Sequence, residues 1–380
     1  MANVHIALVG GQTYPVYLGI AETSPDRVML VHSRSSLAEA QRIAAEFSGT
    51  GISFAYELCD PVNVKQVLEK TRMLAEVLSD EDHYTINLTS GTKVWSILFH
   101  EAFATKPHVR FIYVDQSCNI YDLSNGDSHP GAPVDTDRVF RLNNTVALSY
   151  RDFKELTPED INAILQLQEM HGANRKAFSR LTIYMPHNHD SDGKTTTEYN
   201  GSSLSWDSAT NAVNIRIRKS GDSYMEETIT APHIADLVFK SGWFEAEVAR
   251  HLALWKHSRE VRMNVMFPYE AGSTKNEIDV IVNTGSRIVF VECKTSILNV
   301  TDLDKFSKAV RNYGGTGCHA LFVCSSKMRP EALEKCRDNG IIPFSFKDTI
   351  DAANDKTDPD LITKALHQLL DERLFANNKK

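Results

Sequence analysis

The sequence predicts a mixed α/β chain in two parts, and three observations carry that prediction. Over the first third, short apolar strand-like runs alternate with helix-length segments, which implies a parallel sheet covered by helices on both faces. A turn-rich stretch around Pro130, Gly131 and Pro133 marks the fading of this part. Beyond residue 240 the order strand, strand, helix, strand, helix, strand implies a second α/β domain, preceded by a small β-rich extension. The expected boundaries are 1–150, a linker helix over 151–174, and 175–380.

In chain order the strand-like runs are Val4–Val9, Val28–His32, Ile52–Leu58, Tyr84–Leu88 and Arg110–Asp115, with helices near Leu37–Phe47, Val62–Leu78 and Lys93–Ala104. This is a Rossmann-like pattern, and such sheets bind ligands at the carboxyl ends of their strands. Thr157 then caps a helix that starts at Pro158 and runs to about Met170. Short strands at Leu181–Met185, Asn214–Arg218 and Tyr224–Thr230 form the extension. A helix over Phe244–Trp255 leads into two apolar runs, Ile278–Val282 and Ile288–Val291, which flank a polar turn at Gly285 and read as a hairpin. Helix Asp302–Tyr313 follows, ended by Gly314 and Gly315. Strand His319–Cys324, helix Glu331–Asn339, strand Ile341–Phe346 and helix Leu361–Leu374 complete the chain.

Composition narrows the function classes. Hydrophobic content of 42% and charged content of 24% are those of an ordinary globular protein. A net charge of -8 gives no global basic field, so a nucleic-acid partner needs a local basic patch. The six cysteines form no Cys-x-x-Cys pair and read as reduced thiols of a cytoplasmic protein. No apolar run reaches the roughly 20 residues of a membrane span, so no membrane partner is expected.

Three strand ends carry small and hydroxyl residues: Gly10-Gly11-Gln12-Thr13, Ser33-Arg34-Ser35-Ser36, and Asn87-Leu88-Thr89-Ser90-Gly91-Thr92-Lys93. A strand-to-helix junction of this kind exposes backbone N–H groups at a helix N-terminus, which suits an anion such as phosphate. The spacing of a P-loop is absent from Thr89–Lys93, and that of a dinucleotide fingerprint is absent from Gly10–Thr13. A helix start capped by Ser or Thr explains the residue types equally well. The cluster His187-x-His189-Asp190-x-Asp192 lacks the further ligands of a zinc or calcium site and reads as an exposed loop. Arg216, Arg218 and Lys219 are either a local phosphate-tracking patch or the wet face of a strand.

Chemistry concentrates in Asn276–Thr295. Asp279 lies on the first strand of the hairpin. Glu292 and Lys294 end the second, and period-2 alternation puts them on one face with Cys293 on the other. Charges inside strands of Val, Ile and Phe want a metal or each other. Glu292-x-Lys294 is the sole Glu-x-Lys triplet of the chain. With Asp279 upstream it resembles the PD-(D/E)xK motif of the restriction-endonuclease-like fold, with Glu277 and Ile278 in place of the Pro that names it. That resemblance implies that Asp279 and Glu292 hold Mg²⁺ or Mn²⁺ on a scissile phosphate while Lys294 orients or activates the attacking water. It also implies an added acid from the preceding helix, and Glu247 matches that place as a third metal ligand. Lys305, Lys308 and Arg311 would lie beside the site.

The Thr89–Lys93 loop after a fourth Rossmann strand resembles the CRISPR-associated Rossmann fold (CARF). A CARF domain joined to a PD-(D/E)xK domain is similar to the CRISPR ancillary nuclease family of type III antiviral defence. The resemblance implies a homodimer that shares one cyclic oligoadenylate, cyclic tetra-adenylate or hexa-adenylate, as allosteric activator, with single-stranded DNA or RNA as substrate. Its ligand residues would be Gly10, Gly11, Gln12, Thr13, Thr89, Ser90, Gly91, Thr92 and Lys93, with Arg34, Asn87 and Asp115 beside them. A nucleotide-sensing regulator that binds without cutting, and a CARF domain that cleaves its own ligand, are the rival readings.

Overall fold

The computed structural model describes residues 1–133, 135–183, 194–268, 276–296 and 300–375. They divide into two compact units. The first is 1–147 with 283–288 and 309–318, and the second is 148–282, 289–308 and 319–380.

The elements of the first unit are β1 (Asn3–Val9), α1 (Tyr14–Thr23), β2 (Arg27–His32), α2 (Leu37–Ala45), β3 (Ser53–Leu58), α3 (Val64–Val77), β4 (His83–Asn87), α4 (Lys93–Phe103), β5 (Val109–Val114), β6 (Asn119–Asp122), β7 (Ser128–Pro130) and α5 (Thr136–Leu142). The sheet order is β3-β2-β1-β4-β5-β6-β7. Its first five strands are parallel, and β6 and β7 add antiparallel to the edge. Central β1 is covered on both faces, so Ile6, Ala7, Leu8 and Val9 are all fully buried, and the strand reads as an unbroken apolar run. Trp95, Phe99 and Phe103 of α4 pack on it with Val31 and Ile86. The order reverses between β1 and β4, and this switch point is where a doubly wound sheet opens a crevice.

Helix α1 carries Pro15 and Gly19, poor helix formers that hide it from a periodicity reading. Pro15 is tolerated in the first turn. Gly19 is required by packing, because a Cβ there would lie 2.3 Å from Asn87 Nδ2.

The second unit contains β8 (Ser149–Asp152), α6 (Pro158–Ala173), α7 (Arg175–Thr182), β9 (Lys194–Tyr199), β10 (Ser202–Asp207), β11 (Ala212–Arg218), β12 (Tyr224–Thr230), α8 (Ile234–Val238), α9 (Gly242–Ala253), β13 (Glu260–Phe267), β14 (Asn276–Asn283), β15 (Ile288–Lys294), α10 (Thr301–Gly314), β16 (His319–Cys324), α11 (Pro330–Asp338), β17 (Ile341–Ser345), α12 (Phe346–Ala352) and α13 (Leu361–Leu374). The facing ends of β14, β15 and α10 segregate with the first unit. A mixed sheet runs β17-β16-β15-β14-β13-β8, and a separate antiparallel sheet runs β12-β11-β10-β9.

Two expectations change here. The segment read as a linker is a core helix: Ala163, Ile164, Leu167 and Met170 of α6 are buried in the second unit with Trp243 and Phe244. Its start is as the sequence indicates, since Thr157 and Asp160 form a reciprocal capping box behind Pro158. Asp160 also accepts from the backbone and ring of His233. Of the strand expected at Leu181–Met185, Leu181 and Thr182 instead end α7, where Ala177, Phe178 and Leu181 line one buried face and Thr182 bonds back to Phe178, while 184 and 185 lie outside the described residues. The His187–Asp192 cluster lies outside the described residues. Among the described residues no helix is long and apolar enough to cross a membrane, and the six cysteines are free thiols.

Candidate active site

The hairpin brings its three charged residues together. Asp279 is 8% exposed on β14, and its Oδ2 accepts the Cys293 N–H at 2.7 Å. Lys294 Nζ lies 2.5 Å from Glu292 Oε1 and 3.7 Å from Asp279 Oδ2. Burial, with Glu292 and Glu245 nearby, pushes the Asp279 carboxyl well above the usual range. Burial works against the Lys294 ammonium, but Asp279 and Glu292 outweigh it and hold the amine charged.

Helix α9 contributes a different acid from the one expected. Glu245 Oε2 accepts from Asn264 Nδ2 at 2.9 Å, and the same amide reaches Glu277 Oε1 at 3.2 Å. Asn264 sits in β13 at a register break, with φ 51°. That bulge aims its side chain at the two carboxyls. Burial and Glu277 push the Glu245 carboxyl up to about 7.

Glu247 is committed elsewhere. Its carboxylate takes two hydrogen bonds from Arg250, at 3.0 and 3.1 Å, and lies 2.9 Å from His251 Nε2. Burial alone would raise this carboxyl, yet the His251 and Arg250 hydrogen bonds bring it down to about 2. Residues two apart on a helix point some 200° apart, so Glu245 and Glu247 cannot serve the same site. The signal was present in the sequence, because Arg250 and His251 stand three and four residues after Glu247 and satisfy it within the helix.

Glu245, Asn264, Glu277, Asp279 and Lys294 line a groove of about 840 Å³, which Tyr150 and Arg151 also line. The described lining includes none of Lys305, Lys308 and Arg311, and Lys305 pairs with Asp302. Arg216 stacks on Tyr224 and faces Glu226, while Arg218 bonds Gly221 and Asp222, so the β11 cations are partly neutralised. Among the described residues no three Asp, Glu, His or Cys side chains are spaced to hold a metal by themselves. The oxygens of Asp279 and Glu292 still fit a hard cation, because Mg²⁺ takes one or two carboxylates and completes its shell with water and substrate phosphate. Five carboxyls, Glu155, Asp236, Glu245, Glu277 and Asp279, against Arg151 and Lys294 leave the groove short of positive charge.

In the first unit the β1 and β4 loops touch. Gly10 N–H donates to Ser90 Oγ at 3.0 Å, and a Cβ on Gly10 would lie 2.9 Å from Gly91 N. Gly91 has φ 81°, and a Cβ there would meet the Trp95 ring at 2.7 Å. Thr92 caps α4 by accepting from Trp95 N. Several expected ligand residues also build the loops. Asn87 is fully buried and accepts from Thr89 N and Oγ1, Thr13 Oγ1 donates to Leu142 O, and Asp115 closes its own turn onto Ser117, Asn119 and Tyr121. Gly11, Gln12, Arg34, Gly91 and Lys93 are exposed. A cavity of about 230 Å³ lies in this unit, lined by Gln12, Thr89, Tyr113 and Asp115 from the strand ends and by Arg287 and Cys318 from the inserted segments.

The first unit is a doubly wound α/β domain whose β1 and β4 loops meet at the switch point. Residues 4–131 match the family model of the Card1 CARF domain. No curated protein matches the sequence. Among solved structures, Can2 from Sulfobacillus thermosulfidooxidans in complex with cyclic tetra-adenylate is similar over 98% of this chain and 99% of its own, at 18% identity and TM-score 0.66. Protein VC1899 from Vibrio cholerae is similar over 96% and 97%, at 14% identity and TM-score 0.70. A type III CRISPR defence DNA nuclease activated by cyclic oligoadenylate matches over 97% of this chain and 51% of its own, at 14% identity and TM-score 0.56. At these identities the likeness is one of fold.

Proposed function

We propose that the chain is an endonuclease that uses a divalent cation, Mg²⁺ or Mn²⁺, to cut single-stranded DNA or RNA and is held idle until cyclic oligoadenylate binds its CARF domain. The observation that carries this reading is the pairing of Lys294 with both Asp279 and Glu292, with Asp279 and Lys294 lining one groove, in a chain whose residues 4–131 match a CARF model. Asp279 and Glu292 would hold the cation, water and substrate phosphate would complete its shell, and Glu245 stands close enough to act on Asp279 electrostatically. When bound, the cation supplies charge for the phosphodiester and lowers the pKa of a coordinated water. Lys294 keeps its ammonium charged at Nζ, where it faces the developing negative charge. A module that merely binds nucleic acid gains nothing from burying this set of acids. In the sensor, the touching Gly10 and Gly91 loops present backbone N–H groups and Lys93 to the phosphates of cyclic tetra-adenylate, with a second copy of the chain completing a symmetric ring site.

The test is cleavage of labelled single strands with Mn²⁺ or Mg²⁺, with and without cyclic tetra-adenylate and cyclic hexa-adenylate. Cleavage is expected with ligand and metal together, and Glu292→Gln and Lys294→Ala are expected to lose at least about a hundred-fold in rate. Unchanged cleavage in both variants, or none under either ring, overturns the reading.

A further inference from the structure

Strand β8 closes one edge of the second unit's sheet and, among the described residues, pairs with β13 alone. Asp152 stands opposite Arg262, so Tyr150, two residues earlier, is a diagonal neighbour of Arg262 on the same face. The Arg262 guanidinium carbon lies 3.9 Å from the Tyr150 ring centroid. Arg262 is 3% exposed, and its Nε donates to Glu260 Oε1 at 2.7 Å, which fixes the guanidinium against the ring. Tyr150 is nevertheless 43% exposed and lines the groove that holds Asp279 and Lys294.

An aromatic ring backed on one side by a buried cation and open on the other is a stacking platform. Every nucleobase offers a π-face, so such a platform grips a strand without reading its sequence. In a duplex those faces are taken by neighbouring bases, and one is freed only by unstacking. Arg151 lines the same groove, its guanidinium held by Asp236 at 2.6 Å.

Resting on the nuclease reading of this groove, we propose that Tyr150, backed by Arg262, stacks a nucleobase of the strand lying there and thereby selects unpaired nucleic acid over duplex. Tyr150 is a specificity residue that touches substrate away from the reacting phosphate. Phe in its place keeps the platform; Ala removes it.

The experiment uses the full chain saturated with cyclic tetra-adenylate. In a Glu292→Gln background, single-stranded deoxy- and ribo-oligonucleotides carrying 2-aminopurine at successive positions report stacking by fluorescence quenching. Quenching confined to one or two positions is expected. It is to be lost in Tyr150→Ala and kept in Tyr150→Phe. In the active protein, Tyr150→Ala is expected to raise KM for a single strand by about ten-fold or more with a smaller change in kcat, and to bring the preference for single strand over duplex toward unity. Quenching and KM equal to the parent in Tyr150→Ala, or an equal loss in Tyr150→Phe, overturns the proposal. Should the parent bind with Tyr150-dependent quenching yet cut nothing, stacking stands and the nuclease reading falls. Should it cut with no dependence on Tyr150, the reverse holds.

Discussion

Glu245 and Glu247 share one turn of α9 but sit in opposite surroundings, and each has its own testable consequence. Glu247 is bonded to Arg250 and His251, with its folded pKa lowered from 4.5 to about 2. A depressed carboxylate contributes stability that is fully present above its unfolded pKa and is lost as pH falls through the folded value. The window is therefore from about pH 4.5 down to about pH 2, and the shift corresponds to on the order of 3 kcal/mol. Glu247→Gln is expected to lower stability near pH 7 by about that amount and to flatten the acid limb over that window, as read by denaturant titration. Cleavage by the folded variant is expected to stay within about two-fold of the parent, a result a metal ligand would not give. Glu245→Gln is the converse: it removes a carboxyl that burial and Glu277 already disfavour in charged form, so folding is not weakened at neutral pH. Metal-dependent cleavage is expected to fall at least about ten-fold in this variant. Equal activity in Glu245→Gln and the parent would put the third acid elsewhere.

At the scale of elements, the hairpin and the helices with clean caps were legible in the sequence, while elements whose periodicity is broken were not. β14 and β15 are apolar runs of Val, Ile and Phe on either side of one polar turn, and α6 announces itself by Thr157, Pro158 and Asp160. β13 escaped because its bulge at Asn264 interrupts the period of two, and that residue turns out to aim at Glu245 and Glu277. Edge strand β8 has four residues, too few to show a period. The ligand loops were visible as strand ends, but a sequence cannot say that Asn87 Oδ1 is taken up by Thr89, that Thr13 bonds the Leu142 carbonyl, or that Asp115 closes the turn that follows it. Gly10 and Gly91 carry the element-scale prediction. Gly91→Ala strains a positive φ and drives a methyl into Trp95, and Gly10→Ala presses on Gly91 N. Either is expected to weaken cyclic tetra-adenylate binding by at least about ten-fold in calorimetry, leaving any metal-dependent background cleavage in place. Thr157→Ala, which removes a helix cap, is expected to cost about 1 kcal/mol in denaturant titration without touching ligand affinity.

At the scale of the whole chain, the proposed activation needs a segment shared by the two units, and the hairpin is shared by covalent continuity. Its turn, 283–288, belongs to the first unit, four residues after Asp279 and four before Glu292. Within that unit the turn is tied down: Asn283 Nδ2 donates to Thr136 Oγ1 at 3.1 Å, Arg287 Nη2 to Ser117 Oγ at 2.7 Å, and Cys118 Sγ lies 3.0 Å from Ser286 O. Ser117 follows Asp115, whose side chain orders the β5–β6 turn at the strand ends beside Thr89 and Gln12. On the proposed reading, a change in the strand-end loops on ligand binding would reach the turn through the side chains that hold it, and the turn is continuous in sequence with the strands that carry Asp279 and Glu292. Allosteric coupling of this kind is typically 1–3 kcal/mol, a factor of about 5 to 150. Asn283→Ala and Ser117→Ala, which loosen the turn without entering the groove or the Gly10 and Gly91 loops, are expected to keep cyclic tetra-adenylate affinity within about three-fold while cutting the ratio of activated to basal cleavage by about five-fold or more. Measuring ligand affinity and activation ratio on the same preparations separates this outcome from simple loss of binding, and an unchanged ratio in both variants would show that the hairpin does not carry the signal.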